Sequence, residues 1–73
     1  MQKYIDIDND SGVDSYEINL TSITIKFEET AKLYTYSYAS AGQPHIEHMK
    51  RLAASGDRLN SYINHNVKSH FVR

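Results

Sequence analysis

The chain has 73 residues, a net charge of −1 and no cysteine. This length predicts one small domain, whose core rarely contributes more than roughly 3–5 kcal/mol of net stability. The lack of cysteine excludes disulfide scaffolds and thiolate zinc sites. The first ten residues contain no apolar run typical of a signal peptide or a membrane span. We therefore expect a cytoplasmic protein that makes no contact with membranes.

Charge divides the chain into two halves. Residues 1–42 carry three lysines against seven carboxylates, a net charge of −4, whereas residues 43–73 carry five basic against two acidic residues, a net charge of +3. All four histidines also lie in the second half, so that half becomes more basic below about pH 6.5. The split is compatible with a binding face or with two oppositely charged elements in one domain.

The segment "DIDNDSGVDSYE", residues 6–17, nearly matches an EF-hand calcium loop. The residues at ligand positions 1, 3, 5, 9 and 12 are Asp6, Asp8, Asp10, Asp14 and Glu17. Position 6 requires glycine, but Ser11 stands there and Gly12 follows one residue late. We therefore predict a metal-free turn after a short edge strand within residues 1–10. A calcium site is the alternative.

Three further segments are typical of strands within residues 11–38. "SITIKFE" alternates cleanly and places Ile23, Ile25 and Phe27 on one face, as in a half-buried antiparallel strand. "VDSYEINL" before it alternates more weakly, and "KLYTYSY" after it is rich in the aromatic and hydroxyl residues that strands favour. Three strands at short spacing predict a meander.

Residues 44–68 are predicted to form a pair of helices. Gly42 interrupts the chain before Pro44, which suits a first helical turn. Gly56 suits a helix C-terminus, and Asp57 is expected to begin the second helix. Two apolar stripes follow helical spacing, one with Ile46, Met49, Leu52 and Ala53, the other with Leu59, Tyr62, Ile63, Val67 and Phe71. Residues 69–73 are assigned as a tail.

The predicted fold is α+β: a small antiparallel meander of three strands, or four with the edge strand, followed by two helices packed on one face. This order resembles the KTSC domain, which also occurs at the C-terminus of some lysyl-tRNA synthetases. That family shares an aromatic–acidic pair, an "LxVxF" strand, a central YxY and a closing "GxxFNxxI". The counterparts are Tyr16–Glu17, Ile23, Ile25, Phe27, Tyr34, Tyr36, Gly56, Leu59, Asn60 and Ile63. The resemblance covers residues 11–68 and implies RNA as a partner.

Tyr34, Tyr36 and Tyr38 fall on one face of the third strand. An exposed row of tyrosines would form a stacking platform for single-stranded bases. The opposite face offers only Leu33 as a large apolar side chain, which favours packing of the tyrosines beneath the helices. Tyr38, at the end of the row, is the member expected to be exposed.

The candidate binding residues are otherwise basic or polar side chains of the helical pair, suited to contact phosphates or base edges. With Tyr38 they are Lys50, Arg51, Arg58, Asn64, His65 and Lys68. An ordinary solvated helix face is the alternative. Asn60 is predicted to be a buried amide that bonds to a neighbouring backbone.

No catalytic or cofactor motif is present in the sequence. His45 and His48 share a helix face at i, i+3, but no third ligand stands at a convincing spacing. A phosphate loop, an HExxH motif and a nucleophile with local context are all lacking. We therefore expect a non-enzymatic binding module without a cofactor. Its partner is expected to be RNA or, alternatively, another protein or a second copy bound through a sheet edge.

Overall fold

The computed structural model describes residues 1–5 and 12–72. Within these ranges the chain forms one antiparallel sheet in the order β1-β2-β3-β4, followed by helices. The strands are β1 (Gln2–Lys3), β2 (Val13–Ile18), β3 (Ser22–Phe27) and β4 (Leu33–Ser37). The helices are α1 (Tyr38–Ala41), α2 (Gln43–Ser55) and α3 (Leu59–Tyr62), with a π-helical turn (Ile63–Val67) continuing α3. The α+β prediction is confirmed, including the fourth, edge strand.

The core lies between one face of the sheet and the helices. Ile23 and Ile25 on β3 are fully buried, as their alternation predicts. In the antiparallel register Ile25 pairs with Tyr16 on one side and Tyr34 on the other. Because side chains alternate along a strand, the intervening residues of β3 point to the face without helices.

β4 ends one residue earlier than the predicted strand of residues 32–38, so the expected row of three tyrosines on one strand is wrong at its last member. Ser37 ends β4 and caps α1: its hydroxyl accepts from the Ser40 backbone, and the Ser40 hydroxyl accepts from the Ser37 backbone. This reciprocal pair stabilises a helical turn instead of more strand. Tyr38 therefore belongs to α1, where it is half-buried against the core, so the expectation that it is exposed is wrong. Tyr36 is buried and Tyr34 is half-buried in the core.

Two glycines bound α2. Gly42 has φ of +98° and Gly56 has φ of +75°, both in the region that glycine adopts without steric cost. Pro44 stands in the first turn of α2, and the Gly56 N–H donates to the Leu52 carbonyl. With 13 residues, α2 is the longest helix of the described part of the chain. None of the helices there is long and apolar enough to cross a membrane.

We call α3 and its π-helical turn together the terminal helix, residues 59–67. Arg58, rather than the predicted Asp57, is the residue that precedes it, with φ of +59° in the left-handed region. Such a conformation is sterically costly for a residue other than glycine. The Leu59 N–H donates to the buried Tyr4 hydroxyl at 3.2 Å, which joins the N-terminal segment to the terminal helix.

The residues after the terminal helix pack against β4. The Val72 N–H donates to the Thr35 carbonyl at 2.6 Å. The Phe71 ring meets Tyr34 edge-on, with 5.0 Å between ring centroids, and Tyr36 at 6.2 Å. The segment assigned as a tail therefore contacts both the outer edge of the sheet and its core.

Candidate functional site

A groove of about 630 Å³ lies between the β3–β4 hairpin and the terminal helix. We call it the hairpin groove. Its volume falls in the range of roughly 300–1,000 Å³ that is typical of ligand pockets. The lining residues on the hairpin side are Phe27, Glu29, Thr30, Tyr34 and Tyr36, and those on the helix side are Asn60, Ile63, Asn64 and Lys68. Gly12, just before β2, completes the lining.

The floor of the hairpin groove is aromatic. Tyr34 lies between two rings that meet it edge-on, Phe27 at 5.6 Å and Phe71 at 5.0 Å between centroids. Edge-to-face pairs of this kind are favoured by the ring quadrupoles. Tyr34 and Phe27 are half-buried, so each ring retains an accessible part. The floor is therefore fixed in position and suited to contact a planar apolar group.

The helix wall of the hairpin groove is polar. Three polar residues spaced four positions apart lie on this side of the groove. Asn60 and Asn64 lie on one face of the terminal helix, and Lys68, the residue directly after it, continues the same spacing. Asn60 is half-buried, and its side chain forms no hydrogen bond to any residue in the described ranges, so the prediction of a bonded, buried amide is wrong. Both amides face the groove with a free donor and a free acceptor.

A second groove, of about 430 Å³, lies on the other flank of the terminal helix. We call it the histidine groove, since His48 and His65 line it with Arg58 and Tyr62. The His48 and Tyr62 rings stack at 4.5 Å between centroids with 37° between their planes. The Arg58 side chain is 79% exposed, with its nearest carboxylate, Asp57, at 3.8 Å. The histidine groove therefore contains both the His48–Tyr62 ring pair and the solvent-exposed Arg58 guanidinium.

The predicted binding residues therefore separate into three places. Asn64 and Lys68 line the hairpin groove, whereas Arg58 and His65 line the histidine groove. All four residues lie on or next to the exposed face of the terminal helix, which separates the two grooves. We call this face, from Arg58 to Lys68, the ridge. Tyr38, Lys50 and Arg51 instead lie around Glu47 on α2.

The Tyr38 and Lys50 side chains form hydrogen bonds to the Glu47 carboxylate. The Tyr38 hydroxyl donates to Glu47 at 2.5 Å, and the Lys50 ammonium donates to Glu47 at 3.1 Å and to the Leu20 carbonyl at 3.0 Å. The hydrogen bond from Tyr38, followed by that from Lys50, lowers the pKa of Glu47. The same bond raises the pKa of Tyr38, because its neutral form is the donor. Tyr38 and Lys50 therefore stabilise the contact between α1, α2 and the β2–β3 turn.

The calcium alternative falls largely outside the described residues, since Asp6, Asp8 and Asp10 lie in residues 6–11. The two later ligand candidates lie on β2, where an EF-hand would begin its exit helix. Asp14 contacts the Lys26 ammonium at 3.7 Å, and Glu17 is exposed. Within residues 1–5 and 12–72, no three metal-binding side chains come together.

The histidine pair on α2 contacts a tyrosine. The His45 Nδ1 lies 2.6 Å from the Tyr62 hydroxyl, and His48 stacks on the Tyr62 ring. These contacts place both histidines against the start of the π-helical turn. They give the pair a packing role between α2 and the terminal helix.

Sequence reasoning missed Phe27, Glu29 and Tyr62 as parts of the two grooves. Phe27 was assigned to the core, and it is half-buried beside Tyr34. Glu29 lies in the hairpin turn, more than 30 positions from the helix it faces. The recurrence of Asn60, Asn64 and Lys68 every four residues was a usable signal for the polar wall.

Comparison with known proteins leaves the chain without an assigned family. No family model matches it, and neither does a curated protein or a solved structure. Membership of the KTSC family therefore stays a prediction.

The free energy of unfolding should depend on pH above pH 10 because of the buried Tyr36 phenol. Burial, with a smaller effect of Tyr34, raises the pKa of Tyr36 to about 12 from 10.0. Below pH 10 the phenol is neutral in both states. Between pH 10 and 12 only the unfolded chain releases the proton, so the free energy of unfolding should fall with rising pH, by on the order of 2 kcal/mol.

Urea unfolding across this range of pH checks the expectation. The Tyr36→Phe variant lacks the titrating group, so its free energy of unfolding should fall less between pH 10 and 12. Parallel curves for the variant and the wild-type protein would show that Tyr36 is not the group responsible.

Proposed function

We propose that this protein is a small non-enzymatic module that binds single-stranded RNA across its terminal helix. The observation that carries the proposal is the hairpin groove, which joins an aromatic floor to two free amides and the Lys68 ammonium. Unpaired RNA bases are bound by stacking on aromatic rings and by hydrogen bonds to their edges. The resemblance to the KTSC domain points to the same class of partner.

The ridge of the terminal helix supplies the contacts for phosphates. Arg58 and Lys68 stand near its two ends, and both are exposed. Neither forms an ion pair shorter than 3.8 Å within the described ranges. A strand crossing the ridge could thus place a base in each groove and phosphates near these cations.

A binding role rather than catalysis is favoured by the contacts of the histidines. Across residues 1–5 and 12–72, no serine, threonine or lysine side chain forms a hydrogen bond with a histidine ring. An activated nucleophile normally stands within hydrogen-bonding distance of such a base. The one hydroxyl that contacts a histidine there, that of Tyr62, is a phenol in the packing between two helices.

Fluorescence anisotropy with a labelled single-stranded RNA of about 12 nucleotides, measured over a salt series, tests the proposal. Two phosphate contacts predict a slope of log K against log[salt] of about −1.4, since each contact contributes about −0.7. Lys68→Ala should reduce the slope to about −0.7. Lys3→Ala is the matched control, because Lys3 is exposed on β1 and lines neither groove. No binding at the lowest salt would refute the proposal.

Arg58→Gly separates loss of binding from loss of folding. Glycine adopts the φ of +59° without the steric cost of roughly 1 kcal/mol or more that arginine incurs, which offsets its larger conformational entropy. The free energy of unfolding should therefore not fall, while RNA affinity should. Arg51→Gly, in the exposed interior of α2, should instead lower the free energy of unfolding by about 1 kcal/mol.

Self-association is a second candidate, favoured by the open end of β2. Within the described ranges β1 pairs only with Ser15 and Tyr16. Beyond that point Ile18 is 45% exposed, and Leu20, in the following turn, is 89% exposed. An unpaired strand edge with apolar side chains is a template for pairing with another chain. Sedimentation velocity at several concentrations distinguishes a dimer from a monomer, and Ile18→Lys should abolish a dimer of this kind.

A further inference from the structure

We infer that the hairpin groove selects guanine over the other RNA bases. This inference rests on the proposed binding of single-stranded RNA and names the base that the groove takes. It depends on three groups that the fold brings together: the fixed ring of Tyr34, the amides of Asn60 and Asn64, and the carboxylate of Glu29.

The shape of the hairpin groove suits one nucleotide. Its volume of about 630 Å³ leaves room for a base and its sugar-phosphate. The Tyr34 ring packs against Phe27 and Phe71, which meet it at interplanar angles of 67° and 82°. A base that contacts this floor finds its platform already ordered, which lowers the entropic cost of binding.

The two sides of the hairpin groove carry different hydrogen-bonding groups: amides on the helix side and a carboxylate at the hairpin turn. Each amide presents one acceptor and two donors, so Asn60 and Asn64 can bond to either polarity of a base edge. Glu29 is exposed in the hairpin turn and forms no ion pair within the described ranges. A carboxylate group only accepts hydrogen bonds. At the hairpin turn, Glu29 therefore favours a ligand edge that presents hydrogen-bond donors.

Guanine is the RNA base whose Watson–Crick edge offers two adjacent donors, N1–H and N2–H₂, to a carboxylate. Adenine and cytosine place an unprotonated ring nitrogen next to their amino group, and uracil flanks its N3–H with two carbonyl oxygens. Each of these would set a lone pair against Glu29. The guanine O6 remains free to accept from an asparagine amide, as guanine acceptors do in known interfaces.

Charge also fixes the orientation of the nucleotide in the groove. Glu29 repels a phosphate, whereas Lys68, on the helix wall, attracts one. The base edge therefore lies toward the hairpin turn and the phosphate toward the end of the terminal helix. This direction agrees with a strand that crosses the ridge toward Arg58 in the histidine groove.

Titrations of the whole protein with the four nucleoside 5′-monophosphates, followed by ¹⁵N–¹H correlation spectra, test the base preference. The guanosine nucleotide should bind at least about tenfold more tightly than the other three. It should also shift the side-chain amide signals of Asn60 and Asn64. An RNA of uridines with one central guanosine, compared with an all-uridine RNA in anisotropy, should show the same order of affinity.

Glu29→Gln is the decisive variant, and Glu28→Gln is its matched control. Both residues are exposed in the same turn, but only Glu29 lines the groove. Glu29→Gln should reduce the preference for guanosine to less than about threefold, because it removes one bidentate pair. It should not weaken binding of the all-uridine RNA, because it also removes a charge that repels phosphate and the uracil carbonyls. Glu28→Gln should leave the preference intact.

The outcomes separate the two proposals. RNA binding without a preference for guanosine, or a preference that survives Glu29→Gln, would overturn the inference and leave RNA binding in place. Guanosine monophosphate binding without RNA binding would support the guanine site and refute the RNA function. Failure of both ligands to bind would overturn both.

Discussion

Ile25→Ala should leave most of the protein unfolded in water at 25 °C. Ile25 is fully buried at the centre of the sheet, where it pairs with Tyr16 and Tyr34 on the neighbouring strands. Replacing a buried isoleucine by alanine typically costs about 2–5 kcal/mol, from lost burial and from the cavity that remains. The net free energy of unfolding of a domain of this size is only roughly 3–5 kcal/mol.

Circular dichroism with urea titration measures this effect. Ile25→Val should lose only about 0.5–1.5 kcal/mol, since one methylene group is removed. Leu20→Ala is the matched surface control, because Leu20 is 89% exposed, and it should remain within about 0.5 kcal/mol of the wild-type protein. A folded Ile25→Ala protein with a wild-type unfolding midpoint would contradict the position of Ile25 in the core.

Phe71→Ala should lower the free energy of unfolding by about 2–3 kcal/mol, less than the roughly 3–5 kcal/mol typical of a fully buried phenylalanine. The ring is half-buried and makes two edge-to-face contacts, one with Tyr34 and one with Tyr36. Its loss would also release Tyr34, so the affinity of the hairpin groove should fall together with stability. Both effects follow from one side chain near the end of the chain.

Val72→Ala provides the control for Phe71→Ala. Val72 is half exposed, and its backbone N–H still donates to the Thr35 carbonyl when the side chain is shortened. Its free energy of unfolding should therefore change by no more than about 0.5 kcal/mol. Equal unfolding midpoints for the Phe71→Ala and Val72→Ala variants would show that residues 71–72 do not stabilise β4.

The two grooves illustrate how sequence proximity can mislead about a site. Lys50 and Arg51 stand near Arg58 in the sequence, yet Lys50 is bound to Glu47 and the Leu20 carbonyl. Glu29 and Asn64 are distant in sequence, yet they line one groove. Spacing along a helix identifies residues on one face, but it cannot show which element faces them.

The sequence by itself determined the central strands, the helix α2 and the apolar faces that form the core. Period-two alternation around Ile25 and helical spacing around Met49 each bury one face, because removing apolar surface from water is the dominant favourable term in folding. These patterns are local, so they can be read without knowing what packs against them. The same holds for Gly56, whose left-handed conformation ends α2.

Only the tertiary structure decided where the polar residues of the site meet. The end of β4 at Ser37 removed Tyr38 from the tyrosine row, and the docking of Phe71 fixed Tyr34 as a platform. The hairpin groove forms between residues about 30 positions apart, and its width depends on how the terminal helix packs on the sheet. Polar surface groups add little to the folding free energy, so no local pattern specifies which of them become neighbours.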